Sequence, residues 1–201
     1  MKIKNWLGVK NGDKVKIRGE KVEIINSLHV KESNNLATFV FLKMREAQGE
    51  FYLFARIVDE NVDVRIFNEI NWLGIGDRGR LLNEGNNRLF QAPQSENWVP
   101  SDLEWTESFE FNIEGENVGF NKKFTSYGEA TERPKTTGID VSFASVVEYN
   151  AVRQVPNPEI VILELGGIDP DGNKVPTGGL VIPLEGYCIN NSEVETVGWF
   201  F

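Results

Sequence analysis

The stretch IRGEKVEI, Ile17–Ile24, returns as IEGENVGF, Ile113–Phe120, 96 positions further along the chain. Both follow the order Ile, any residue, Gly, Glu, any residue, Val, any residue, large apolar. Each is a strand end, a tight turn and the start of a second strand, because glycine supplies the positive φ that a hairpin turn demands. The likeness extends outward. After each Gly-Glu turn comes an apolar strand, Phe39–Leu42 or Val141–Val147, and then a second one, Glu50–Ile57 or Glu159–Leu165.

Period-two alternation dominates the rest. In DLEWTESFEFNIEGEN, Trp105, Phe109, Phe111 and Ile113 share one parity and the acids Glu104, Glu110 and Glu114 the other, which reads as one half-buried strand. FVFLKMREAQGEFYLFARIV reads as a hairpin turning near Gln48 and Gly49, and VDVRIF as a fifth strand. FVFL (Phe39–Leu42), FYLFA (Phe51–Ala55) and IVIL (Ile160–Leu163) are apolar on both parities, so both of their faces need cover, from the other half or from a partner chain. Helical periodicity is weak throughout; a short helix near Gly79–Asn83 or near the tail is the most that the pattern allows.

The expected fold is therefore all-β, two similar SH3-like or sandwich-like modules packed together with little helix. Residues 1–73 form the first module, 74–102 a linker rich in Gly, Asn and Pro, and 103–201 the second. The linker and the closing WFF offer the candidate partner-binding residues Trp72, Arg78, Arg80, Arg88, Trp98, Trp199, Phe200 and Phe201, because aromatic and arginine side chains anchor protein contacts.

Charge is unevenly placed. Residues 1–100 hold 15 Lys/Arg against 13 Asp/Glu and residues 101–201 hold 6 against 17, so +2 and −11 make up the net −9. An acidic chain repels phosphate backbones, which leaves nucleic-acid binding to a local basic surface such as Lys2, Lys4, Lys10, Lys14, Lys16, Arg18 and Lys21, and phosphate mimicry to the acidic half. Apolar runs fall far short of the roughly 20 residues of a membrane helix. The basic start, MKIKNWLGVKNGDKVKIRG, has no apolar core of a secretion signal. A single cysteine, Cys188, accords with a reducing cytosol.

Chemistry-bearing motifs are sparse. Gly74, Gly76 and Gly79 have dinucleotide-loop spacing but no βαβ context. Asp169–Asn173, DPDGN, lacks the glycine and glutamate positions of a calcium loop and reads as a turn. His29, the sole histidine, falls on the parity opposite Leu28 and Val30 and reads as a strand-surface residue. No metal or cofactor is expected, and Cys188 is expected as a packed or half-exposed side chain rather than a nucleophile.

The segments GDKVKIRGEKVEII, FVFLKM, FYLFARI, YGEATERP, VVEYNAV and EIVILELGG together resemble a bacterial family catalogued as domain of unknown function four-one-seven-eight, over most of residues 11–167. The first-half strand LATFVFLKM departs from it in having no tryptophan. The resemblance implies a bacterial, cytosolic accessory role and transfers no catalytic residue. The resulting expectation is a non-enzymatic binding or scaffold protein recognising another protein, with self-association allowed. A nucleic-acid-related role and a carboxylate-based hydrolase are the alternatives.

Overall fold

A computed structural model describes residues 1–69, 75–76, 80–81, 90–91, 104–105, 107–113, 116–133, 141–152, 159–168 and 174–197. In chain order they form a short helix α1 (Ile3–Gly8) and strands β1 (Lys14–Ile17), β2 (Glu20–Glu32), β3 (Thr38–Glu46), β4 (Gly49–Val58) and β5 (Asn61–Glu69). The two-residue strands β6 (Ile75–Gly76), β7 (Arg80–Leu81), β8 (Phe90–Gln91) and β9 (Glu104–Trp105) follow. Then come β10 (Ser108–Ile113), β11 (Glu116–Arg133), β12 (Val141–Ala151), β13 (Glu159–Ile168) and β14 (Lys174–Ile189), a 3-10 turn at Asn191–Glu193, and β15 (Val194–Thr196). The molecule is all-β, as the alternation requires.

Eleven strands share one antiparallel sheet in the order β10-β11-β12-β13-β14-β5-β4-β3-β2-β1-β15, and β11 also pairs with β2. That extra ladder, Gly128–Arg133 against Glu32–Ser27, closes a ring. Setting aside β1, β10 and β15 leaves eight strands in a closed barrel, which has no edge of its own. The two halves are thus joined edge to edge, β2 to β11 and β5 to β14.

The opening hairpins explain the repeated octapeptide. Ile17 and Ile113 end β1 and β10, and Glu20 and Glu116 open β2 and β11, at the same separation of 96 in both cases. Between Ile17 and Glu20, Arg18 (φ 51°) and Gly19 (φ 88°) are both left-handed, the geometry of a two-residue turn that matches strand twist. Each long strand then carries one bulge, at Ile25 in β2 and at Lys123 in β11. Six residues beyond each bulge stand Lys31 and Glu129, and these two are paired with each other, as a local two-fold axis across the ladder requires.

A bulge adds one residue and so reverses the parity of everything after it. Before Ile25, Val22 and Ile24 point to a core outside the barrel; after it, Leu28 and Val30 point inside. The inner core draws Phe39, Phe41, Tyr52, Phe54 and Phe67 from one half and Ala144, Val146, Val161, Leu163 and Leu184 from the other. The outer core lies on the opposite face of β3 and β4, where Val40, Leu42, Leu53 and Ala55 are covered by Trp6 and Val9 near α1, by Val15 and Ile17 of β1 and by Val194 of β15. Phe39–Leu42 and Phe51–Ala55 therefore find inner cover in the opposite half, while residues near the chain's own ends cover their outer face.

Other expectations need adjusting. The strand expected across residues 104–114 is interrupted: β9 and β10 are separate, and Glu107 lies in a bend between them. The helix lies at the start of the chain, where six residues with one buried tryptophan are too few to show periodicity. Arg80 and Leu81 are strand, not helix, and among the described residues the tail holds the 3-10 turn and β15. Ile168 pairs with Lys174, so DPDGN joins two paired strands, although residues 169–173 themselves lie outside the described set.

Two glycines mark the seams between the halves. A Cβ on Gly128 would collide with the Lys31 carbonyl across the β2–β11 ladder, and one on Gly186 with the Ile66 carbonyl across β5–β14. On Gly119 a Cβ would meet Val152 Cγ2 at an ordinary 3.5 Å. Gly186→Ala is expected to cost about 1–3 kcal/mol of stability in urea unfolding, whereas Gly119→Ala stays within about 0.5 kcal/mol.

Candidate functional site

The barrel interior is apolar for most of its length and charged at one end. That end is where β2, β4, β12 and β14 finish and β3, β5 and β13 begin. Alternation puts Arg65 on the inward side of β5 with Phe67, and its guanidinium carbon lies 5.4 Å from the Phe54 ring centroid. Glu148 shares the inward parity of Ala144 and Val146 in β12, and Glu159 that of Val161 and Leu163 in β13. Arg65 is 2 % exposed, Glu148 1 % and Glu159 7 %. Burying three charges in a barrel end is costly unless each is paired and hydrogen-bonded.

The pairing is incomplete. Arg65 Nε donates to Glu159 Oε2 in a short ion pair, and its Nη2 lies 3.6 Å from Glu148 Oε2. Lys123 is the bulge residue of β11, and the irregularity turns its Nζ to within 3.4 Å of the same Glu148 oxygen. Among the described residues, Arg65 Nη1 and Glu148 Oε1 have no hydrogen-bond partner, and neither does the buried Nε of Arg56. Arg56 sits on the inward side of β4 with its guanidinium carbon 4.7 Å from the Phe124 ring centroid, opposite Asp63 of β5. Glu32, which accepts a hydrogen bond from Ser126 at 2.5 Å, is a further acid at this end.

Burial pushes the Glu148 carboxyl above its ordinary range, and the nearby Arg65 and Lys123 only partly oppose the shift. For Arg65, burial works against the charge, but Glu148 and Glu159 outweigh it and raise its pKa. Cys188, exposed on the same side of β14, donates its thiol to Glu159 Oε1 at 3.5 Å. Burial and then Glu159 raise its pKa, the reverse of an activated nucleophile. The cluster thus runs from the sealed interior at Arg65 to solvent at Cys188 and at Lys123, whose side chain is 38 % exposed. Exposed Leu36, just after β2, and Val152, just after β12, stand on the rim of this end.

Of the residues expected to bind a partner, Trp72, Arg78, Arg88, Trp98, Trp199, Phe200 and Phe201 lie outside the described residues. Arg80 opens β7 and pairs with Gly76 of β6. His29 is half-buried on the outer side of β2, paired with Thr131, as its parity implied. The basic surface near the start of the chain is interleaved with acids: Lys14 faces Glu23, Lys16 faces Glu195, and Arg18 is bridged to Glu193. No group of three or more His, Cys, Asp or Glu is placed to hold a metal among the described residues. No helix among them is long and apolar enough to cross a membrane.

Sequence reasoning missed Arg65, Lys123, Glu148 and Glu159. One signal was present: Glu148 is the only charged residue in the run VSFASVVEYNAV, on the parity of its apolar core residues. No family model matches the chain, and no curated protein or solved structure does either.

Four outcomes follow from this arrangement. Arg65→Met, which strands two buried acids, is expected to cost about 3–5 kcal/mol in urea unfolding. Glu148→Gln is expected to cost no more than about 1–2 kcal/mol, because burial already disfavours the ionised carboxyl. The native state holds the Glu148 proton more tightly than the unfolded chain, so this residue makes stability fall as pH rises from its ordinary 4.5 toward the raised folded value, and Glu148→Gln removes that slope. For Cys188, Glu159→Gln takes away a carboxylate that raises the thiol pKa, so maleimide labelling at pH 8 should accelerate several-fold over the wild type.

Proposed function

We propose that the protein is a non-enzymatic binding protein of a bacterial cytosol that receives its partner at the charged end of the barrel. The observation that carries this reading is the pair of almost fully buried side chains, Arg65 and Glu148, each with a polar atom left without a hydrogen bond among the described residues. Leaving such groups unmet costs about 1–3 kcal/mol each, a cost that a bound polar molecule offsets. Eight-stranded barrels are wide enough to seat one small ligand, and binding sites often combine apolar walls with a few convergent polar groups. Phe54 and Phe124 provide such walls beside Arg65 and Arg56. The raised Cys188 pKa and the outward placement of His29 favour binding over nucleophilic chemistry. The resemblance to the bacterial family points to the same kind of accessory role, and the matching order of β1–β5 and β10–β14 supports an internal duplication as its origin.

Recognition of another protein at this end is the second reading. Leu36 and Val152, exposed on the rim, favour it because apolar side chains around a polar centre suit a protein contact.

The test is thermal unfolding of the intact chain with a bacterial extract split at roughly 1 kDa, repeated after Cys188 is alkylated. A ligand at 100 times its Kd stabilises by about 2.7 kcal/mol, so the small-molecule fraction is expected to raise Tm by about 5–10 °C, and alkylation at the mouth to abolish the rise. A rise from the large fraction alone would select the protein partner. No rise from either fraction would remove the binding role, and consumption of the ligand during the assay would replace it with the hydrolase.

A further inference from the structure

We infer that the ligand at the charged barrel end is a small zwitterion of zero net charge, of the α-amino acid type. The inference rests on the binding role proposed above and names the chemistry of its occupant. Arg65 and Lys123 carry two positive charges, Glu148 and Glu159 two negative ones, and these four side chains contact one another. Arg56 and Glu32, both half-buried on inward parities, add one charge of each sign, while Asp63 opposite Arg56 is exposed. Ser126 donates a hydrogen bond to Glu32. A ligand bringing a net charge into this balanced, buried group would leave that charge uncompensated, which the low dielectric of a barrel interior penalises.

The open valences specify the rest. Among the described residues, Arg65 Nη1 is a buried donor without an acceptor, and Glu148 Oε1 is a buried acceptor without a donor. They belong to side chains whose nearest charged atoms stand 3.6 Å apart, wider than a formed hydrogen bond. One molecule presenting a carboxylate beside an ammonium meets both, the carboxylate taking Arg65 and the ammonium taking Glu148. A simple anion meets only the first and a simple cation only the second. Cys188 and Lys123 are the solvent-exposed members of the cluster. The bulge that aims Lys123 at Glu148 sets the balance, so the charge class of the ligand depends on that one residue.

The experiment is calorimetric titration of the intact chain with L-glutamine, L-glutamate, L-lysine, acetate and methylammonium, for the wild type and for Lys123→Gln and Glu148→Gln. Wild type is expected to bind L-glutamine at least about tenfold more tightly than either charged amino acid, and to bind acetate and methylammonium more weakly still. Lys123→Gln leaves the group one charge negative and moves the preference to L-lysine. Glu148→Gln leaves it one charge positive and moves the preference to L-glutamate. Opposite shifts in two folded variants are not produced by a merely structural role. If none of the five probes binds, or if the preference is the same in all three proteins, the inference is overturned. Should the small-molecule extract still raise Tm in that case, binding stands and only the charge class falls; without that rise, both fall.

Discussion

Everything in this molecule depends on one ladder, the six residue pairs by which β11 meets β2. Without it the chain would be an open sheet with a row of aromatic side chains on one face and unpaired main-chain groups along two long edges. Closure satisfies those groups and turns the sheet's apolar face into an enclosed core. The close approach at the two seams explains why glycine stands at 128 and 186, where even a methyl group would strike a carbonyl of the neighbouring strand. The core within is continuous across both halves, so neither half has an inner core of its own.

The two bulges decide how the rest of the chain uses that barrel. Each reverses the parity of a long strand, so the early part of β2 serves the outer core and the later part the inner one. In β11 the same device places Phe120 on the outer side, opposite Ala151, and Phe124 against the inner core. It also leaves Lys123 pointing at Glu148. One local irregularity thus changes cores and completes a charged cluster, consistent with bulges being found where a side chain must be re-aimed.

That cluster puts charge where the rest of the described inner core is apolar. Replacing a buried ion group with apolar side chains of similar size is often neutral or stabilising, so Arg65, Glu148 and Glu159 are poorly explained as a structural staple. Their position supports a role in recognition. They lie toward the end where Cys188 is exposed, whereas toward the opposite end Tyr52 is hydrogen-bonded to Glu69 and Asn26 donates to Glu132.

Local sequence determined most of the longer strands, several of their turns and the alternation within each stretch between bulges. The Arg18–Gly19 turn, the hairpin at Gln48 and Gly49, the outward side of His29 and the two matching openings at Ile17 and Ile113 were all legible, because each follows from the alternation of a few neighbouring residues or from the φ that glycine permits. Only the tertiary structure decided that the halves share one closed sheet rather than standing as separate modules, that the chain's own ends cover the outer faces of β3 and β4, and that Arg65, Lys123, Glu148 and Glu159 meet. The physical reason is register. Which strand lies beside which is set by main-chain groups more than 90 residues apart, and a single bulge reverses the meaning of every later position without leaving a mark in composition or periodicity.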